Sequence, residues 1–337
     1  MNVTNRTPAR HLALPMKDKD GRDRLVVIVK YTYRIDRRGA IERDEDGPEP
    51  RPIDEPNGAD PAASSIRRPS DLCDFKPGTD VVLIGHAHSA APDAKYADVS
   101  LRVGPIAKTV RAHGLRAWQR GIFGGVKPGP ARPIRDPIPL IYELAWGGLD
   151  TSVPDKPLGE PRNYVGRGVA RDVGRLLGQP AAQLESIDRP LGERDNVPAS
   201  FGAIHRHWQP RARYAGTCDE AWMQTRMPLL PHDFDPRFYV CTPADQWSPA
   251  PLAPDEPMEV HGATEEGVWR FRLPREAPAF ASVADQVRRT HATHLDSILI
   301  DADARMVELV WRASIPVPEK LERLEEVRVT RSAEGAR

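Results

Sequence analysis

The sequence predicts a mainly β fold, a β-rich α+β chain of antiparallel, sandwich-like sheets with long proline-rich loops and a few short helices. Three observations carry this. Several short segments alternate apolar and polar residues with the period of two that a strand imposes. No segment keeps a helical period long enough to alternate with those strands, which disfavours a doubly wound parallel sheet. The 337 residues include 35 prolines, about twice the ~5% share of an average protein. Proline cannot donate to a ladder and breaks helix interiors, so ordered loops must join short elements.

The clearest strand is 24–36. Val27, Val29, Tyr31, Tyr33 and Ile35 fall on one face. Val26, Ile28, Lys30, Thr32 and Arg34 fall on the other, which turns polar towards its end. Residues 36–39 read as a turn and 40–43 as the return of a hairpin. Residues 44–63 are acidic and proline-rich without a period, hence a loop. A second strand is expected at 79–89, and 97–103 with 107–113 form a hairpin around Gly104 and Pro105. Residues 138–146 read as a strand closed by Gly147 and Gly148. The middle then changes character, with a short helix predicted at 168–177 and another at 219–227. Asp219 stands near the start of the second, where negative charge is favoured, and Pro228 ends it. Strands return at 268–273, 297–302 and 306–313, the last two joined by Asp303, Ala304 and Arg305. The organisation is one large β-rich domain over 1–315, with a subdivision near 150–215. A polar tail follows over 316–337, with a short charged helix at 319–327.

Composition limits the function. Hydrophobic residues make up 39% and charged residues 28%, which describes a soluble globular chain. Lys plus Arg equals Asp plus Glu at 48 each, which argues against a nucleic-acid partner held by a broad basic surface. No apolar run approaches the ~20 residues of a membrane span, and no signal peptide is visible. Cys73, Cys218 and Cys241 show no metal-motif spacing, so a reducing cytoplasm is the expected compartment.

The most informative stretch is 213–235, where Gly216, Pro228, Pro231, Trp222, Phe234, Asp219, Asp233 and Asp235 crowd together. Glycine and proline fix its irregular path. Cys218, Asp219 and His232 have the composition of a thiol site, but no flanking signature places them together. Asp233 and Asp235 bracket Phe234 and either hold a cation or act as acid and base; capping of turn amides is the favoured reading. His86 with His88, and His205 with His207, have a spacing that chelates zinc on a strand, yet lack further ligands. The glycines of 121–129 do not form a phosphate loop. Arg116 beside Trp118, and Trp311 beside Arg312, offer stacking or interface anchors. Lys76 and Asp80 either pair across a turn or face a partner. No catalytic residue, cofactor or metal is assigned.

Taken in order, these pieces resemble the family known as domain of unknown function 2169, found beside type VI secretion genes. The resemblance runs over most of the chain. It is carried by Val29 to Tyr33, Ser70 to Leu72, Phe75 to Val81 with Lys76 and Asp80, and Gly85 to Ala87. It continues through Arg116 to Trp118, Tyr142 to Gly148 with Trp146 and Gly147, and Asn163 to Gly168. It ends with Gly216, Thr217, Cys218 and Asp219, then Trp222, Pro231 to Asp235, and Leu309 to Arg312. The resemblance implies a cytoplasmic adaptor or chaperone of the type VI secretion system, with no enzymatic activity. Its partners would be an effector, often PAAR-tipped, and the VgrG spike. The loop-rich middle, 114–240, is the expected contact region. The alternative is a hydrolase using Cys218, Asp219, His232 and Asp233.

Overall fold

The central strand Asp23–Ile35 runs for 13 residues, and its two faces organise the molecule. The computed structural model describes residues 2–122, 124–192, 195–317 and 321–332. Asp23–Ile35 lies between Arg10–Lys17 and Met306–Pro316, antiparallel to both, and Ile41–Arg43 returns along its end as the predicted hairpin. Met306–Pro316 pairs in turn with His294–Asp301, which runs parallel to Thr79–Ile84. With the short Trp247–Ser248 this makes a seven-stranded sheet.

Two further sheets complete the architecture. The predicted hairpin Tyr96–Val103 and Ile106–His113 is the centre of a five-stranded antiparallel sheet, flanked by Leu184–Ser186 on one side and by Pro257–His261 with Val268–Arg272 on the other. A four-stranded sheet joins both ends of the chain: Asn2–Asn5 runs parallel to Leu324–Arg331, which pairs with Pro278–Ala284 and then Val287–His291. The fold is mainly β, with mostly antiparallel pairing.

One apolar cluster gathers side chains from all three sheets. The register sets Val81, Ile298, Leu309 and Tyr31 in a row across the seven-stranded sheet, with Leu83, Ile300, Val307 and Tyr33 in the next. These rows join Val99, Leu101, Val110, Val260 and Trp269 of the five-stranded sheet, and Phe280, Val327 and Val329 of the four-stranded one. Area removed from water at ~25 cal/mol per Å² makes this shared layer the main favourable contribution to folding.

Four elements differ from the sequence reading. The strand expected at 79–89 breaks at Gly85 into Thr79–Ile84 of the seven-stranded sheet and His86–Ala87 of a separate two-stranded one, and His88 is in no strand. Residues 138–146 do not form one strand. Ile138–Pro139 bridges His86–Ala87, after which Tyr142–Leu144 turns into a 3-10 helix that buries Tyr142 and Leu144. Pro137 and Pro139 remove ladder donors there. The helix predicted at 168–177 is reduced to one 3-10 turn, Val173–Leu176, capped by Asp172. Glycines at 168, 174 and 178 weaken a helix by about 1 kcal/mol each, and Val173 points outward at 55% exposure rather than packing. The helix predicted at 319–327 is overturned within the described residues: Leu321–Arg323 is a 3-10 turn and Leu324–Arg331 a strand, while 319 and 320 lie outside them. The spacing of Leu324 and Val327 reads as helical, but two neighbouring strands supply ladder partners and bury Val327 and Val329. The segment 324–331 is therefore part of a sheet, not a frayed tail. The helix predicted at 219–227 forms as Glu220–Thr225, with Asp219 as its cap.

Candidate functional site

The second face of the seven-stranded sheet holds the first group of motif residues. Register places Asp80 beside Ser297, and Glu308 beside Thr32, with Lys30, Asp301 and Arg312 on the same side. Period two shows that this face turns polar; it does not show that the polar face is buried. Residues 48–77 lie over it and bring the opposite charges. Lys30 Nζ sits 2.6 Å from Asp71 and 3.3 Å from Glu308, and Arg51 reaches Glu308 at 2.5 Å. Arg68 pairs with Asp301. Lys76 Nζ donates to Asp80 at 2.9 Å and to Ser297 at 2.8 Å. Arg312 donates to Asp296 at 2.6 Å and to the carbonyls of Cys73 and Asp71. Five cations (Lys30, Arg51, Arg68, Lys76, Arg312) thus meet five buried carboxylates (Asp71, Asp80, Asp296, Asp301, Glu308), which balances the buried layer, and the more exposed Glu55 joins Arg51 and Arg68 at its edge.

The electrostatics follow from this balance. Burial opposes the charge of Asp80, yet Lys76 and the bonds from Cys241 N and Thr242 outweigh it, so its pKa falls. Burial opposes the charges of Lys76 and Arg312 too, and Asp80 and Asp296 respectively overcome it, raising both. Burial, joined by the charges of Asp296 and Asp74 and opposed by Arg312 and Lys76, pushes the Cys73 thiol up to about 11. The two buried thiols, Cys73 and Cys241, are therefore protonated and inert at neutral pH. Trp311, the neighbour of Arg312, faces the other way and packs on the apolar cluster.

A second group collects around Trp118. Its ring meets Trp146 edge to face, 6.2 Å between centroids. Gly168, at φ +122°, lies against both: a Cβ there would stand 2.4 Å from the Trp146 ring and 2.7 Å from that of Trp118. Gly147 and Gly148 also have positive φ and let the chain pass Asn163 and Gly166. The buried Asn163 amide ties this path together through the carbonyls of Tyr142 and Trp146. Arg116 bonds the Ala182 carbonyl at 2.7 Å and Glu185 at 2.9 Å. His113 holds the other Glu185 oxygen at 2.6 Å. Burial opposes the Glu185 charge, but His113 and Arg116 prevail and bring its pKa down to about 2.

The third group is the stretch 211–240. Asp233 accepts from Thr217 N at 2.9 Å and Thr217 Oγ1 at 2.8 Å, which closes the loop at Gly216. Gly216 has φ +78°, and a Cβ there would meet Pro231 at 2.8 Å. Asp219 accepts from Trp222 N, and the Trp222 indole donates to the Leu229 carbonyl. Asp235 caps Pro236–Tyr239 and pairs with Arg237. Phe234 is buried edge to face with Phe238 and Tyr239. His232 lies beside Arg226, 3.2 Å away, and the Cys218 thiol is exposed. No hydrogen bond joins Cys218, Asp219, His232 and Asp233 to one another among the described residues, and the two aspartates serve as caps.

The sequence motifs therefore resolve into three frameworks: a buried charge layer, a tryptophan–glycine crossing and a capped loop. Residues 20–312 match the family described as "Uncharacterized protein conserved in bacteria (DUF2169)". The chain belongs to that family. No curated protein and no solved structure matches it. In this DUF2169 member the sequence-selected residues mostly face inward, and the outward apolar side chains of 114–240 were not singled out. Their only sequence signal is apolar residues in stretches without a period, such as Leu149, Val153 and Leu158. No helix among the described residues is long and apolar enough to cross a membrane.

Proposed function

We propose that the chain is a cytoplasmic adaptor of the type VI secretion system, which binds an effector, often a PAAR-tipped one, and promotes its loading onto the VgrG spike. The secretion context comes from the family resemblance. The structural observation that supports a binding role is where apolar surface is left uncovered. Among the described residues 13 large hydrophobic side chains are exposed, and nine of them (Leu115, Ile122, Leu149, Val153, Leu158, Val173, Ile187, Met223 and Met227) fall within 114–240. Leu149 and Leu158 sit on the two strands of one small hairpin, with Val153 in its turn. The segment leading to Val173 is tied to that hairpin by Arg171 N donating to Asp150 at 2.8 Å. Exposed apolar surface grouped on a rigid scaffold is what a protein-binding face presents.

The test is affinity purification of the tagged chain from its native host, with mass spectrometry of what is retained and of the medium. The adaptor reading expects a neighbouring effector and the spike protein in the eluate, and the tagged chain absent from the medium. An eluate without secretion components, or secretion of the chain itself, overturns it.

A further inference from the structure

We propose that the cleft between Arg67 and His86 binds a carboxylate, and that its occupant is the free C-terminus of an extended partner segment. Its identification as a partner site, though not its anion chemistry, rests on the binding role above. The cleft lies where Ile66–Arg68, the end of Thr79–Ile84, Pro139 to Ile141 and the hairpin turn at Asp303 converge, and encloses about 230 Å³. Arg67 sets it apart. Almost every other half-buried or buried arginine in this region is consumed by a carboxylate or carbonyl, as Arg51, Arg68 and Arg312 are. Arg67 has no hydrogen bond or ion pair among the described residues, and its Nε is buried without an acceptor. That buried Nε is out of a ligand's reach, so the donors offered to the cleft are the terminal guanidinium nitrogens, which no carboxylate or carbonyl occupies among the described residues and which make charge-assisted bonds to an incoming carboxylate.

His86 supplies the second contact. Its Nδ1 lies 3.0 and 3.1 Å from the two Asp303 oxygens, so the ring is oriented and Nε2 is the nitrogen left for a ligand. With a proton on each ring nitrogen, Nδ1–H donates to Asp303 and Nε2–H is free to donate to a carboxylate. The same aspartate selects the anion. One unpaired guanidinium offsets one negative charge, and a dianionic phosphate would face Asp303 with a charge left over. Asn57 adds one more polar side chain to the wall, and the apolar Ile84, Leu140 and Ile141 would surround a side chain next to the carboxylate. The volume decides between a whole ligand and a chain end. Clefts for complete small molecules run from ~300 to ~1,000 Å³, so this one holds a terminal residue, with the rest of the segment leaving through its open mouth.

The experiment uses the full chain, immobilised, and a pool of hexapeptides with five degenerate positions and a final leucine. The pool is offered as free acid and as C-terminal amide, with retained peptides quantified by mass spectrometry. Free-acid peptides should be retained ~10-fold or more over their amides, the worth of a charge-assisted hydrogen bond. Arg67→Ala should abolish that preference while leaving the unfolding midpoint unchanged, because Arg67 bonds nothing in the free protein; Arg67→Lys should restore part of it. Equal retention of acid and amide, or no retention, overturns the proposal. Competition by inorganic phosphate as strong as by N-acetyl-leucine overturns the carboxylate assignment, and N-acetyl-leucine binding as tightly as the best peptide overturns the partner-tail assignment. The binding role fails separately: it fails if the wild-type chain captures no secretion component, whereas peptide discrimination failing beside successful capture sinks only the cleft.

Discussion

Replacing Asp80 by asparagine should be among the most damaging single changes in this chain, although it alters no volume. Asp80 is fully buried and accepts from Lys76 Nζ, Cys241 N and Thr242 Oγ1 at 2.9, 2.9 and 2.7 Å. Asparagine keeps an oxygen for one or two of these donors but removes the charge. The Lys76 ammonium, 5% exposed, then keeps only the neutral Ser297 hydroxyl at 2.8 Å. Breaking a buried pair by removing one partner costs about 3–5 kcal/mol. The matched control is Asp235→Asn. That pair with Arg237 is much more exposed, the cap survives in asparagine, and the expected loss is about 1 kcal/mol or less. Guanidinium unfolding followed by tryptophan fluorescence and circular dichroism measures both. The stronger test is the cycle with Lys76→Met, which removes the stranded cation: the double variant should recover much of the loss, giving a coupling of about 1.5–3 kcal/mol. A cost under about 1 kcal/mol for Asp80→Asn, or strict additivity in the cycle, would refute the claim that a dehydrated ion pair holds residues 48–77 on the sheet.

The other predictions concern the remaining frameworks. Glu185 has a folded pKa near 2 against an ordinary value of 4.5. Its stabilisation is therefore complete above about pH 4.5 and lost as pH falls towards about 2; Glu185→Gln should flatten the wild-type loss of stability in that window, read from unfolding midpoints. Gly168→Ala places a methyl group against the rings of Trp118 and Trp146 at φ +122° and should cost about 2–3 kcal/mol, with a change in near-ultraviolet circular dichroism. Gly216→Ala strains the loop closed by Asp233, and should raise protease cleavage within 213–235 well before global unfolding. The paired change Leu149→Gln with Leu158→Gln, which sets no like charge opposite Asp150, should leave the unfolding free energy within about 0.5 kcal/mol of wild type, since both side chains are exposed, yet reduce effector retention severalfold if that hairpin is the contact.

Legibility in the sequence tracked how local each cause was. The strand Asp23–Ile35, the hairpin of Tyr96–Val103 with Ile106–His113, and the helix capped by Asp219 each announce themselves within a dozen residues. Period, turn residues and caps are short-range chemistry, so they survive folding unchanged. Strands such as Pro278–Ala284 and Leu324–Arg331 were missed because their signal is weak and their ladder partners stand elsewhere in the chain. The amide-capping role of Asp233 and Asp235 was legible, but not every partner: Asp233 as a clasp for Thr217, and Asn163 as a tie between carbonyls, depend on neighbours 16 to 21 residues away.

By itself the sequence determined the fold class, the β period of the main strands and the residues that carry the family pattern, because each is written in local alternation or in residue identity. Only the tertiary structure decided what the polar face of the central sheet is for. The sequence shows Lys30 on a face that turns polar and leaves open whether Asp80 pairs with Lys76 or faces a partner, until the register aligns Lys30, Asp80, Glu308 and Arg312 and Arg51, Asp71 and Lys76 close over them. The physical reason is that a charge can leave water only when its counter-charge arrives with it, and here Glu308 meets Arg51 across 257 residues of chain.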